Sequence, residues 1–416
     1  MFGLSAFELT ILLAGLVAGL YMAWNIGAND VANSMSTAVG AESITYKQAI
    51  IIASVLTVAG AVLVGGHVTA TVKGGIFDPA DVSSKKLAIG GLAAIIASGL
   101  WVTIATWQSL PISTSHSIIG GMMGFGLVVG GPAIISWFTL GKVVLSWITS
   151  PLLGALLAYI IFNIIVKVIF DSEEPFETAR KTTPFFLGAT FLIITLSLFF
   201  DTALDNRIFG YDLPFLSAFG ISLVIGVVVG LLGQFLVVRG IEKNEEDGYE
   251  DVENIFSRLQ IMTSCFVAFS HGANDVANAI GPLLLVVKNT IGNNMPFFLG
   301  NDYLLMMGGL GIAVGISTWG YKVIKTVGFR VTRLTNTRGY SVDFGAATTI
   351  LAASKLGMPI STSHTVVGAV FGVGLARGVE AIDLSVLKKI VVSWIITVPI
   401  AAITSIILYL GMIQFA

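Results

Sequence analysis

The 416-residue chain has one cysteine, Cys265, so no intrachain disulfide can form and the thiol says little about compartment. Charge is also scarce. Only 11% of residues are Asp, Glu, Lys or Arg, against roughly 25% in soluble domains. A soluble fold would leave most of its surface apolar. Neither sign is in excess: the formal net charge is −2, and nothing in it points to nucleic acid. The start of the chain lacks the basic stretch of a cleaved signal, so residues 4–24 are expected to stay as a helix.

What the chain has instead is apolar length. Hydrophobic residues make up 55% of it, and uncharged or nearly uncharged runs occur at 4–24, 142–169, 184–200, 214–238 and 387–414. A membrane-spanning helix needs about 20 mainly apolar residues. The expected class is an all-α, polytopic membrane protein.

Two motifs occur twice. GANDVAN stands at 27–33 and again at 272–278, an offset of 245 residues. PISTSHSIIGGMMGFG at 111–126 pairs with PISTSHTVVGAVFGVG at 359–374 at offset 248, and Trp147 pairs with Trp394 at offset 247. Order and spacing agree, so the chain reads as two homologous halves. The N-terminal repeat is 1–170 and the C-terminal one is 259–416. Residues 171–258 hold two plain apolar helices, the polar loop DSEEPFETARKTT and a short charged linker at 239–258.

Basic residues accumulate on the cytoplasmic side. The stretch 322–338 has five Lys or Arg and no acid, which places it inside. Counting crossings back from it, 303–320 goes out and 259–290 comes in, so the linker 239–258 is cytoplasmic too. If the halves are inverted, the N-terminus lies outside and an odd number of crossings precedes the linker. The piece 87–130 must then enter and return, turning at PISTSH as a re-entrant hairpin. Inverted repeats with interrupted helices are a recurrent plan of secondary transporters.

The segment 259–290 is roughly 48 Å long as a straight helix, more than the ~30 Å hydrocarbon core, so it must tilt, break or protrude. Asp275 is its seventeenth residue. A carboxylate at such depth costs at least ~2.5–3.5 kcal/mol and normally faces a partner or a water-filled cavity. Gly and Ala before each Asn-Asp pair allow the helix to break there. Oxygen atoms of Asn29 and Asp30, and of Asn274 and Asp275, suit a hard cation such as sodium. Asn33 and Asn278 follow three residues later on the same helical face. The plainer reading is that each Asn-Asp pair caps a restarting helix.

PISTSH supplies other chemistry. Proline cannot join the preceding helix's hydrogen bonding. Hydroxyls of Ser113, Thr114 and Ser115, and of Ser361, Thr362 and Ser363, then sit at a helix start, where free amide N–H groups favour an anion. Gly120, Gly124 and Gly126, with Gly368, Gly372 and Gly374, permit close packing of the arm that follows. A Ser/Thr-capped kink is the plainer reading. Neither motif contains Lys or Arg, so an anion beside Asp30 and Asp275 is repelled unless cations bind with it. That is the requirement for a symporter.

Three of the four histidines adjoin the motifs: His116, His364 and His271. A metal site needs them clustered with Asp30 or Asp275. His116 and His364 read as neutral packing residues, and His271 matches Ile26, outside any symmetric site. Adjacent Ser115 and His116 do not face each other on a helix, which excludes a Ser–His hydrolase. Gln108, Glu42, Glu380 and Glu8 are polar residues near membrane segments without an assigned role.

Duplicated GANDVAN together with duplicated PISTSH resembles the inorganic phosphate transporter (PiT) family, including its sodium–phosphate symporters. The resemblance covers both halves. It implies inorganic phosphate as substrate, sodium or protons as driving ion, inverted repeats, no enzymatic activity, no cofactor besides co-transported sodium, and a homodimer. It implies that Asn29, Asp30, Asn274 and Asp275 bind sodium with backbone carbonyls. Phosphate then falls to Ser113, Thr114, Ser115, Ser361, Thr362 and Ser363, helped by Asn33 and Asn278. The expected function is sodium-coupled phosphate import across the plasma membrane by alternating access. Proton coupling, carriage of a metal–phosphate complex, sulfate transport, divalent-metal transport through the histidines and a channel are the alternatives. The linker 239–258 is short, whereas animal members of the family often carry a long cytoplasmic insertion there.

Overall fold

A computed structural model describes residues 4–65, 82–201, 210–241, 248–292, 296, 299–355 and 360–415. Among these residues it is helical, with no strand. The first half contributes α1 (Ala6–Gly40), α2 (Tyr46–Val64), α3 (Ser84–Trp107), α4 (Thr114–Gly130) and α5 (Trp137–Ile165). Two connecting helices follow, α6 (Pro175–Asp201) and α7 (Phe215–Val238). The second half is α8 (Gly248–Ile291), α9 (Asn301–Trp319), short α10 (Tyr321–Lys325), α11 (Asn336–Lys355), α12 (Thr362–Ala376) and α13 (Leu384–Ile413).

Seven of the described helices are long and apolar enough to cross a membrane, or eight counting the pair bent by 54° at Gly320. The five apolar runs fall inside them to within two residues. Large side chains such as Leu152 on α5 and Leu216 and Phe235 on α7 are exposed, as a lipid-facing surface requires. Most of α3, by contrast, is buried among other helices.

Local chemistry sets the helix starts. Ser5 and Glu8 form a reciprocal capping box at α1, with Glu8 N–H donating to Ser5 Oγ at 3.2 Å and Ser5 N–H to Glu8 Oε2 at 2.8 Å. That is the role of Glu8. At the other end, Glu42 takes a left-handed conformation (φ 62°) and closes α1, with Ser43 N–H bonded back to Ala38 O at 2.9 Å.

Three expectations are corrected. The polar stretch 171–183 is not all loop, because α6 begins at Pro175, with proline at the first helical position as the missing N–H allows. Nor is 239–258 all linker. α8 begins at Gly248, since Val252, Ile255, Phe256 and Leu259 recur at helical spacing beneath the charges and are buried with Phe186 and Tyr340. Finally, neither GANDVAN interrupts its helix: α1 and α8 run through both Asn-Asp pairs, which removes the cap reading.

The glycine of each motif serves close approach instead. A Cβ on Gly27 would stand 1.9 Å from the Ile312 carbonyl oxygen on α9, and one on Gly272 would stand 2.0 Å from that of Thr57 on α2. Helices in a bilayer associate through such contact rather than through a hydrophobic force. Each motif helix therefore crosses the second helix of the other half.

The hairpin arms exchange in the same way. A Cβ on Gly124 of α4 would meet Ala402 O of α13 at 2.3 Å, and one on Gly372 of α12 would meet Ala155 O of α5 at 2.0 Å. Ala155 and Ala402 are repeat equivalents, 247 residues apart. The two halves interlock, each packing its hairpin on the last long helix of the other.

Candidate cation and anion site

α3 and α4 form the first hairpin, turning over Gln108–Ser113. Ser109 closes α3 in a left-handed conformation (φ 60°), with Leu110 N–H bonded to Ala105 O at 2.9 Å. Gln108 lies at this turn, exposed. Asn29 fastens the turn to α1. Its Nδ2 donates to Thr106 Oγ1 (2.9 Å) and Leu110 O (3.0 Å), while its Oδ1 accepts from Ile112 N–H (3.1 Å). The repeat equivalents of those partners fall at 354–360, mostly outside the described residues, as does Pro359 of the second PISTSH.

Each hairpin's second arm starts with a serine cap. Ser113 Oγ accepts from His116 N–H at 3.2 Å, and Ser361 Oγ from His364 N–H at 3.3 Å. The hydroxyls that follow face the opposite half. Asn33 Nδ2 donates to Ser363 Oγ (2.9 Å) and Thr362 Oγ1 (3.4 Å); Asn278 Nδ2 donates to Ser115 Oγ (2.9 Å) and Thr114 Oγ1 (3.5 Å). So α1 reaches the second hairpin and α8 the first. Ser363 Oγ also lies 3.0 Å from Ile112 O, joining the two hairpin tips.

Both acids sit between these clusters. Asp30 is 1% exposed and Asp275 4%. Asp30 accepts from Thr114 Oγ1 at 2.6 Å and from Ser363 Oγ at 3.2 Å. Asp275 accepts from Asn278 Nδ2 at 3.3 Å, and its Oδ2 lies 3.5 Å from His271 Nε2. One atom each of Asp30, His271 and Asp275 lie within 4.8 Å of one another. Two carboxylates this close in a low-dielectric interior repel strongly. A bound cation removes that repulsion.

Of the residues read from the motifs, the structure gathers Asp30, Asn33, Thr114, Ser115, Asp275, Asn278, Thr362 and Ser363. Asn29 is occupied by the first hairpin turn, Ser113 and Ser361 cap their helices, and Asn274 is half-buried beside Asp275. His116 and His364 pack ring to ring at 5.0 Å, flanked by Trp147 (5.7 Å) and Trp394 (3.8 Å). They fill space between the hairpins and take no part in the acid cluster. Glu380 is exposed near the start of α13.

Sequence reasoning set His271 aside for lacking a repeat partner. Its spacing of four from Asp275, which puts both on one helical face, was the available signal. It also passed over Asp343 on α11. That acid is 1% exposed and accepts from Thr37 Oγ1 (2.8 Å), Ser264 Oγ (2.8 Å) and Thr263 Oγ1 (3.1 Å).

A helical membrane bundle that buries two opposed acids beside hydroxyl-rich helix starts is built to pass ions, and the protein is a membrane transporter. The comparisons with known proteins narrow the class. Residues 26–405 match the model described as the phosphate transporter family, and the chain belongs to that family. It is 46% identical over 400 residues to a Pyrococcus furiosus protein named a phosphate permease, covering 94% of each chain. It is 38% identical to inorganic phosphate transporter 2-1, chloroplastic, of Arabidopsis thaliana, covering 95% of this chain and 71% of that one. Among solved structures, one named the sodium-dependent phosphate transporter aligns with TM-score 0.87 and 43% identity, over 98% of this chain and 100% of that chain. The family is one of transporters, not enzymes.

Proposed function

We propose that this protein imports inorganic phosphate coupled to sodium by alternating access. Sodium binds at Asp30 and Asp275, with Asn274 and backbone carbonyls beside them, and Asn29 holds the first hairpin turn in register. Phosphate binds between the hydroxyls of Thr114, Ser115, Thr362 and Ser363, with Asn33 and Asn278 donating and Ser113 and Ser361 shaping the helix starts. The observation that carries the reading is the reciprocal reach of Asn33 to Ser363 (2.9 Å) and of Asn278 to Ser115 (2.9 Å), with both acids alongside. Neither cluster contains a cationic side chain, so the site accepts an anion only after cations have neutralised the acids. Binding and coupling are then one requirement.

The repeats 1–170 and 259–416 run in opposite senses through the plasma membrane, with the N-terminus outside and 239–258 cytoplasmic. The two hairpins are re-entrant and gate the shared site, 171–258 connects the halves, and the protein works as a homodimer. The sodium dependence for which the structural relative is named supports sodium over protons. The test is labelled phosphate uptake into proteoliposomes, with sodium replaced by potassium and the pH gradient varied separately. Uptake that needs inward sodium is expected. Uptake driven by the pH gradient alone overturns the coupling, and an absence of phosphate uptake under either gradient overturns the substrate.

A further inference from the structure

The two GANDVAN motifs are identical, yet their surroundings differ at one buried position. One turn before Asp275 stands His271, and the matching residue one turn before Asp30 is Ile26. His271 is 4% exposed. Neither of its ring nitrogens has a hydrogen-bond partner among the described residues, and the same holds for Oδ2 of Asp275. The two groups face each other at 3.5 Å, too far for a hydrogen bond, and an oxygen of Asp30 completes a cluster within 4.8 Å. Buried polar atoms left without partners on converging side chains point to a missing ligand.

We propose that Asp30, His271 and Asp275 form a binding site for a borderline divalent metal, with zinc the ion that fits. A hard monovalent cation takes oxygen ligands and has no use for imidazole, whereas zinc binds His nitrogen and carboxylate oxygen alike at about 2.0–2.2 Å. Tetrahedral ligands at that range stand roughly 3.4 Å apart. His271 and Asp275 already have that separation, and an Asp30 oxygen lies within 4.8 Å of both. Three protein ligands leave the fourth position for water or an oxyanion oxygen. Because zinc uses both carboxylates, zinc and sodium exclude each other. Only that last clause rests on the transport reading above; the metal site stands on the cluster itself.

Titration calorimetry of the purified full-length protein with zinc chloride, in phosphate-free potassium buffer, tests the site. The wild type is expected to bind zinc with a component of stoichiometry one that His271→Ile, which installs the first half's residue, weakens by at least ~10-fold. His271→Cys supplies another zinc-ligating atom and is expected to keep that component, which separates loss of a ligand from loss of the fold. Zinc binding unchanged in His271→Ile, or absent from the wild type, overturns the proposal. Saturating sodium is expected to weaken zinc binding. If sodium has no effect while His271→Ile still loses zinc, the metal site stands and the sodium assignment at the two carboxylates fails.

Discussion

Asp30 and Asp275 stand at the same place in the same seven-residue word, yet their environments are not alike. Asp30 receives a hydroxyl from each hairpin, Thr114 from the first and Ser363 from the second. Asp275 has the amide of Asn278 on its own helix and a histidine at 3.5 Å. The duplication fixes where the carboxylates sit along the helices; the neighbours decide what they bond. One acid is held in a completed hydrogen-bond set, and the other keeps an oxygen open to a ligand. An ion entering the shared site therefore meets two unequal halves.

Removing either charge tests this inequality most strongly. Asp30→Asn and Asp275→Asn should each reduce sodium-driven phosphate uptake by ~100-fold or more, equivalent to ~2.7 kcal/mol. Retention of sodium-coupled uptake in both would sink the site. Their stabilities should diverge in sodium-free buffer. Either substitution relieves the repulsion between the two buried carboxylates, so Asp275→Asn should raise Tm, whereas Asp30→Asn also deprives two hydroxyls of a charged acceptor at a cost of ~1–3 kcal/mol and should raise it less or lower it. Equal shifts by thermal unfolding would erase the distinction.

The next effect concerns the latch. Asn29→Ala leaves the Ile112 N–H and the Leu110 carbonyl without their partner, a loss of ~2–6 kcal/mol at about 1–3 kcal/mol per unsatisfied group. Hydrogen exchange should rise over 108–113 before the rest of the chain responds. Unchanged protection there would mean that the turn holds itself.

The serines come third. Ser363→Ala and Ser115→Ala should each raise the phosphate KM by about tenfold, the loss of ~1.4 kcal/mol. Ser363 should cost more, because its hydroxyl also touches Asp30 and Ile112. A larger effect at Ser115 would reverse the ranking of the two clusters.

The smallest effect lies at the helix ends. Glu42 and Ser109 occupy left-handed positions at φ 62° and 60°, where glycine avoids a penalty of about 1–2 kcal/mol. Glu42→Gly should raise stability by up to ~1 kcal/mol and leave uptake unchanged. A fall in Tm would mean that the Glu42 side chain makes a stabilising contact.

The repeated words made much of this site legible. Two copies of Asp with Asn three residues on, and two serine-threonine clusters after proline, located nearly every side chain that now meets. Continuity of α1 and α8 was not legible, because Gly27 and Gly272 look the same in sequence whether they loosen a helix or let a carbonyl approach it. The start of α8 was masked by charge: Glu250, Asp251 and Glu253 read as linker, while the buried positions Val252, Ile255 and Phe256 lie between and beyond them. His271 and Asp343 have no repeat counterpart, so a search guided by duplication passes over both. Pairing them with their neighbours needs the crossing of helices, which is decided by packing rather than by any local pattern.

The exchange of hairpins between halves also governs how the protein is made. The arm that starts at Ser113 rests on Val398 and Ala402 of α13, and α13 leaves the ribosome only after α5 to α12 have done so. Until then the second arm of the first hairpin lacks the surface its glycines pack against, although Asn29 already ties the hairpin turn to α1. Biogenesis thus includes a late step in which α13 seats an early helix, and a nascent chain arrested before α13 presents an unfinished hairpin to the quality-control machinery of the membrane.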